Sequence, residues 1–148
     1  MRVDAAVDAY VPSGYVGLEA AKMDVHRRIA LAASVDDLRE LEAELADRFG
    51  SPPEPVANLI GLQEARIVLA PLGAVAVSVR RDRVAVSGVV LGPSEARSLR
   101  EHAPGSLYNA ARREVALRVD GDATPIETAR NLCAGIIEVR SEVGAASL

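Results

Sequence analysis

The chain has 148 residues, of which 49% are hydrophobic and 3% aromatic, with no Trp and a net charge of −4. A chain of this length can bury one hydrophobic core, and Leu, Val, Ile and Ala must supply most of it. Because aromatic side chains are scarce and the net charge is negative, stacking of single-stranded bases and binding to a phosphate backbone are both disfavoured.

The first half of the chain predicts an extended segment followed by three helices. Residues 3–12 alternate apolar residues with charged or small ones, as a strand does. The helices are expected over about 15–33, 34–49 and 55–70. Ser34 is a good N-cap for the second helix, and Gly50 is a good stop. That helix has a narrow apolar stripe, formed by Val35, Leu38, Leu41, Leu45 and Phe49.

After Gly73, short strands alternate with helices. Strands are expected over 74–79, 83–86 and 114–119, and helices over 93–102 and from Thr124 onward. Helices first, then strands mixed with helices, predict an α+β fold: an N-terminal helical half packed against a small, mostly antiparallel sheet with further helices. We expect a single domain over 1–148, with the extended segment and helices in 1–73, the strands and helices in 74–143, and a frayed tail over 144–148.

The sequence carries no motif for catalysis or for a cofactor. It contains no glycine-rich phosphate loop, no dinucleotide fingerprint and no paired-cysteine metal site. His26 and His102 fall in different predicted helices, as surface or core-edge residues, and Cys133 lies in an apolar helical pattern that indicates packing. We therefore predict no enzyme activity, no cofactor and no metal. Because no apolar run reaches the roughly 20 residues of a membrane span, we also predict a cytoplasmic protein.

Charged side chains lie beside the apolar stripe of the second helix. At about 100° per residue, five of them fall within about 100° of one another, and we call them the charged flank: Asp37, Glu40, Glu44, Asp47 and Arg48. The flank has two interpretations. An ordinary solvated flank would be stabilised by the i, i+4 pair of Glu44 and Arg48. A cluster of like charges beside one arginine would instead suit a polar interface with a basic partner surface.

The same half of the chain carries a family resemblance. The residues that carry it are Val7-Asp8-Ala9-Tyr10-Val11-Pro12, Tyr15-Val16, Lys22-Met23, Arg27-Arg28-Ile29, Asp37-Leu38, Leu41, Glu44-Leu45-Ala46-Asp47-Arg48-Phe49-Gly50, Pro53 and Leu59. From about residue 2 to residue 73 the chain resembles the C-terminal domain of the bacterial transcription-repair coupling factors (Mfd), and residues 44–50 match the motif Glu-Leu-x-Asp-Arg-Phe-Gly fully. It departs at His26, where the family has an aromatic residue, and Lys22-Met23 match the family only as conservative replacements of its Arg-Leu pair.

The resemblance implies a non-catalytic, autoinhibitory domain. Such a domain docks on the UvrB-like module of the same polypeptide and masks the surface that recruits UvrA, until stalled RNA polymerase is engaged. ATP and DNA would be handled elsewhere in an ATP-dependent DNA translocase, so this chain would be an excised terminal domain with no direct contact to nucleic acid or membrane. The resemblance places Glu44, Asp47 and Arg48 at the interface, and Glu40 and Asp37 lie beside them on the charged flank.

Two other functional classes remain open. A stand-alone interaction or oligomerisation module would self-associate through apolar surfaces, whereas the excised domain is expected to be a monomer. An enzyme with an unrecognised site would need a deep pocket with perturbed titratable groups.

Overall fold

A computed structural model describes the secondary structure of residues 1–146 and the side chains of residues 1–141. The chain divides into two compact units. Residues 7–67 form the helical unit, and residues 1–6 together with 68–148 form the sheet unit. The single domain over 1–148 stays a prediction. The tail predicted to be frayed over 144–148 is helical over 144–146, which belong to the last helix (Pro125–Ala146), and residues 147–148 lie outside the described residues.

The helical unit is built on three helices: α1 (Glu19–Leu31), α2 (Val35–Phe49) and α3 (Glu54–Leu69), whose last two residues fall in the sheet unit. Their facing sides enclose a core without large aromatic residues. Its members are all at most 4% exposed: Val11, Val16, Val25, Ile29, Leu38, Leu41, Leu45, Val56 and Ile60. The apolar stripe predicted for α2 is confirmed, because three of its leucines are in this core and Phe49 packs against it.

The ends of α2 are also as predicted. The Ser34 Oγ accepts a hydrogen bond from the N–H of Asp37 at 3.1 Å, which satisfies one of the free donors of the first turn. At the other end Gly50 has a φ of +88°, a conformation that favours glycine and stops the helix.

α1 is shorter than predicted and begins at Glu19 instead of near residue 15. The carbonyl oxygen of Pro12 accepts the N–H groups of Tyr15 and Val16 at 3.0 and 3.1 Å, so the chain makes a separate turn there. Leu18 is then extended, with φ −85° and ψ 127°, and the helix starts after it. The sequence pattern missed this interruption because the hydrogen bonds of the turn join residues three and four apart, as those of a helix do.

The sheet unit contains a five-stranded mixed sheet in the order β1-β2-β3-β5-β4. The strands are β1 (Arg2–Ala5), β2 (Ala76–Val79), β3 (Arg83–Ser87), β4 (Leu107–Asn109) and β5 (Glu114–Arg118). Every neighbouring pair is antiparallel except β1 with β2. With α4 (Pro93–His102) and α5 (Pro125–Ala146), this confirms the predicted α+β fold with a mostly antiparallel sheet.

Two strands differ from the sequence expectation. The extended segment predicted over 3–12 forms a strand only over Arg2–Ala5. The N–H of Ala6 still reaches the carbonyl oxygen of Val79 at 2.8 Å, but β2 ends there and offers no further partner. β4 was not predicted at all, because three residues are too few to show an alternating pattern.

One face of the sheet is covered by α5, which contacts β2, β3 and β5. The strands place valines on that face in register, with Val77 opposite Val86 and Val79 opposite Val84. These side chains are at most 1% exposed. Cys133 of α5 is buried at 6% exposure, as predicted for a packing residue.

Replacing Gly88 by Ala is expected to lower the free energy of unfolding by about 3 kcal/mol. Gly88 follows β3 with a φ of +95°, and a Cβ there would lie 2.8 Å from the backbone nitrogen of Val75 and 2.9 Å from the carbonyl oxygen of Gly73. Urea denaturation followed by circular dichroism measures the effect. Gly14→Ala is the matched control, because no atom lies within 4 Å of its Cβ position; equal losses in the two variants would contradict the prediction.

Candidate functional site: the charged flank of α2

The structure places the charged flank on the surface of the helical unit. Asp37, Glu40, Asp47 and Arg48 are exposed, and the side chain of Glu44 is 41% exposed. The apolar stripe of the same helix faces the core. A partner can therefore reach the charged flank but not the apolar stripe.

Two members of the flank are engaged within the chain. The carboxylate of Asp37 accepts the N–H of Ala33 at 3.2 Å, while the Ser34 Oγ accepts the N–H of Asp37, so both side chains bind backbone donors at the start of α2. The carboxylate of Glu44 forms an ion pair with the Arg28 guanidinium of α1. These two acids act inside the helical unit, one as a cap and the other as a link between α1 and α2.

The predicted ion pair between Glu44 and Arg48 is wrong. Among the residues whose side chains are described, Glu44 pairs with Arg28 from the neighbouring helix. The Arg48 guanidinium instead lies over the ring of Phe49, with its Cζ 5.0 Å from the ring centroid. The packing of α1 beside α2 brings a competing cation to Glu44, and a pattern read along one helix does not contain that information.

Three acids on α2 make no hydrogen bond or ion pair with the part of the chain that the structure describes. They are exposed and lie within about 40° of one another around the helix axis, and we call them the acidic ridge: Asp36, Glu40 and Asp47. Glu40 and Asp47 were predicted site residues. Asp36 was not among the predicted site residues, although projecting it at 100° per residue places it beside Glu40.

A groove of about 490 Å³ runs between α1 and α2. It is lined by Arg27, Arg28, Leu31, Ala32, Asp37, Glu40, Leu41 and Glu44. Of its three acids, only Glu40 is without a partner in the described residues, because Asp37 caps the helix and Glu44 holds Arg28. Leu31 stands beside it with 73% exposure. The groove therefore offers one unpaired carboxylate, that of Glu40, together with the exposed side chain of Leu31.

The C-terminal end of α2 is held by a residue that the site prediction did not include. The Tyr15 hydroxyl donates to the carbonyl oxygen of Gly50 at 2.8 Å and lies 3.3 Å from that of Leu45. The Tyr15 ring packs against Phe49, with ring centroids 5.7 Å apart and an interplanar angle of 58°. No local spacing signals this contact, because Tyr15 and Gly50 are far apart in sequence.

Neither histidine belongs to the flank. The His26 Nε2 accepts the backbone N–H of Val11 at 3.3 Å, which makes His26 the core-edge residue that was predicted. Within the described residues, no group of three or more His, Cys, Asp or Glu side chains is arranged to hold a metal ion. None of the described helices is both long enough and apolar enough to cross a membrane.

Charge is distributed unevenly between the two units. The helical unit contains six Lys and Arg residues and eleven Asp and Glu residues, a formal charge of −5. The sheet unit contains eleven and ten, a formal charge of +1. The helical unit therefore carries the acidity of the chain, which favours a basic partner for it.

Tyr15 is expected to make stability depend on pH in the alkaline range. Burial raises the pKa of the Tyr15 phenol above its ordinary value of 10.0. The neutral phenol is favoured in the folded state, so its stabilising contribution is complete below about pH 10 and is lost as the pH rises through the folded pKa. Unfolding free energies measured from pH 8 to 11 should fall less steeply in Tyr15→Phe than in the wild type. Tyr10→Phe, which removes an exposed hydroxyl, is the control, and equal slopes in the wild type and Tyr15→Phe would refute the prediction.

Known proteins resemble this chain in both sequence and fold. A family model described as the TRCF domain matches residues 5–90. The chain is 30% identical over 111 residues to the transcription-repair-coupling factor of Mycobacterium tuberculosis (strain CDC 1551 / Oshkosh). It is 37% identical over 73 residues to the factor of the same name from Haemophilus influenzae. These alignments cover 74% and 49% of this chain but only 9% and 6% of the relatives.

A solved structure agrees over nearly the whole chain. The crystal structure of the C-terminal domain of a transcription-repair coupling factor superposes with a TM-score of 0.76 and covers 95% of both chains, at 18% identity. At that identity the match shows the fold alone. The family model covers residues 5–90, whereas the fold match covers 95% of the chain.

Proposed function

Because the chain belongs to the TRCF domain family and has the fold of the C-terminal domain of a transcription-repair coupling factor, we propose that it is an autoinhibitory docking domain of such a factor. It docks on the UvrB-like module of a longer polypeptide and masks the surface that recruits UvrA. Engagement of stalled RNA polymerase releases it. ATP binding and movement on DNA belong to other parts of that polypeptide, and this chain binds no cofactor.

The observation that supports this proposal is the set of unpaired charges on α2. Glu40 and Asp47 are exposed on a helix whose other face buries Leu38, Leu41 and Leu45, in a unit with a formal charge of −5. Glu40 and Asp47 pair with basic side chains of the module, and Arg48 pairs with an acid. Asp47 and Arg48 lie in the segment 44–50 that matches the family motif.

Glu44 has a different part in the proposal from that of Asp47. Since Glu44 already holds Arg28, a new contact with the partner would replace one exposed ion pair by another, with little net gain. Glu44 therefore fixes α1 against α2 and shapes the groove beside Glu40. Asp37 likewise holds the start of α2.

Weak contacts are sufficient for a domain tethered to its partner. Exposed ion pairs contribute about 0.2–1 kcal/mol each, and a flexible tether raises the effective concentration to the millimolar range. Several such pairs hold the domain closed in the resting factor. The same weakness lets a modest competing interaction open it.

Titration of the isolated chain with a separately produced UvrB-like module of the same factor tests the proposal. We expect binding whose dissociation constant rises several-fold between about 50 and 200 mM salt, because screening weakens pairs between exposed charges. Absence of binding at low salt would contradict the docking function. Binding that is indifferent to salt would contradict the assignment of the interface to the charged flank.

Self-association is the second candidate function, because three apolar side chains of the α1 region are exposed. Leu18, Met23 and Leu31 are 75%, 65% and 73% exposed. Sedimentation at several concentrations distinguishes the two functions. A monomer throughout is the result expected for the docking domain, and a dimer at low micromolar concentration would favour an oligomerisation module.

A further inference from the structure

We infer that Tyr15 and Phe49 are positioning residues that hold Arg48 in place to bind a carboxylate of the docking partner. The inference rests on the proposed docking function and assigns a role to two side chains outside the charged flank. It follows from three linked contacts at the C-terminal end of α2.

The first contact fixes the backbone that carries Arg48. The last carbonyl groups of a helix lack partners within the helix, and here the Tyr15 hydroxyl donates to the Gly50 carbonyl at 2.8 Å. Tyr15 is itself fixed, because its N–H bonds to the Pro12 carbonyl and the adjacent Val16 is 1% exposed in the core. The end of α2 is therefore attached to a rigid turn.

The second contact fixes the ring of Phe49. The Tyr15 and Phe49 rings lie 5.7 Å apart at 58°, a tilted arrangement that aromatic pairs favour. Phe49 is only partly buried and packs against the core of the helical unit. The Phe49 ring is therefore held both by Tyr15 and by the core, and Arg48 lies over it.

The third contact sets the guanidinium. The Arg48 Cζ lies 5.0 Å from the centroid of the Phe49 ring, within the range of a cation–π interaction. Arg48 makes no hydrogen bond or ion pair with the described part of the chain, so its guanidinium N–H groups can form two parallel hydrogen bonds to a carboxylate. Glu44, one helical turn before Arg48, is occupied by Arg28. The Arg48 donors are thus left for a partner.

This arrangement has a consequence for affinity. A free arginine side chain loses rotamer freedom when it binds, and a side chain that is already held loses less. Removing the Phe49 ring or the Tyr15 hydroxyl should therefore weaken docking only when residue 48 is arginine. A merely structural role for Tyr15 and Phe49 would instead weaken docking whether or not residue 48 is arginine.

Double-mutant cycles in the titration with the UvrB-like module separate these possibilities. The variants are Tyr15→Phe, which keeps the ring and loses the hydroxyl, and Phe49→Leu, which removes the platform. Each is made alone and together with Arg48→Lys, which keeps the charge but loses the flat, forked donor. Phe49→Tyr is the conservative control, and thermal melts confirm that each variant is folded.

We expect Arg48→Lys to weaken docking by about fivefold, the upper end for one exposed ion pair, and Phe49→Leu by about threefold. Combined with Arg48→Lys, neither Phe49→Leu nor Tyr15→Phe should weaken docking further, and Phe49→Tyr should bind within about twofold of the wild type. If docking weakens with Arg48→Lys but not with Phe49→Leu or Tyr15→Phe, the inference is overturned and the proposed function stands. The same holds if Phe49→Leu and Tyr15→Phe weaken docking equally in the wild type and in Arg48→Lys. No docking by the wild type would overturn the proposed function, and the inference with it.

Discussion

Leu45→Ala is expected to lower the free energy of unfolding by about 3–5 kcal/mol, because it removes a fully buried side chain and leaves a cavity. Leu45 is 1% exposed and belongs to the core that α1, α2 and α3 share. Its neighbours Leu38 and Leu41 come from the same helix and cannot move into the space without shifting α2. Since domains of this size are stable by roughly 5–15 kcal/mol, this one change should remove a large share of that stability.

Urea denaturation of the isolated chain, followed by circular dichroism at 222 nm, measures the loss. Leu31→Ala is the matched control: it makes the same chemical change on α1, where the side chain is 73% exposed. The control should change stability by less than about 0.5 kcal/mol. Similar losses in the two variants would mean that the core does not lie where the structure places it.

Reversing the two unpaired acids of the charged flank is expected to abolish most of the docking affinity. In Glu40→Lys with Asp47→Lys, two attractive contacts with a basic partner surface become repulsive, which should weaken docking by about tenfold or more. The fold should persist, because both side chains are exposed and make no hydrogen bond or ion pair with the described part of the chain. Titration with the UvrB-like module at low salt measures the effect.

Two controls make that result specific. Glu101→Lys reverses one exposed acid in the sheet unit, and it should leave docking unchanged. Glu44→Gln breaks the ion pair with Arg28 and should cost less affinity than the reversal of Glu40 and Asp47. If Glu101→Lys weakens docking as much as Glu40→Lys or Asp47→Lys does, the loss of affinity comes from the change in net charge and not from a local interface.

Features that depend on one helix or one hairpin were predictable from the sequence. The buried stripe of α2, the Ser34 cap and the Gly50 stop each follow from spacing within a few residues. The alternating runs around residues 74–79 and 83–86 likewise gave β2 and β3. The family resemblance and the α+β fold are confirmed by the matches to the TRCF domain and to the solved C-terminal domain.

Features that depend on contacts between distant segments were not predictable. β1 joins β2, which lies more than 70 residues further along the chain, in a parallel pair. The link between Arg28 and Glu44 needs α1 to lie beside α2, and it replaced the predicted pair of Glu44 with Arg48. Tyr15 reaches Gly50 only because the turn after Pro12 places it at the end of α2. The sequence therefore predicted the helix of the candidate site and its exposed side. It did not predict which charged side chains of that side are bound within the chain and which are left for a partner.

The affinity of UvrA for the parent coupling factor tests the masking function most directly. It should be measured for the full-length factor, as wild type, with Glu40→Lys and Asp47→Lys together, and with the Glu101→Lys control. If this domain covers the UvrA-binding surface, loss of docking exposes that surface, and the double variant should bind UvrA about tenfold more tightly than the wild type and the control do. Equal UvrA affinity in all three proteins, with docking lost in the double variant, would contradict the account.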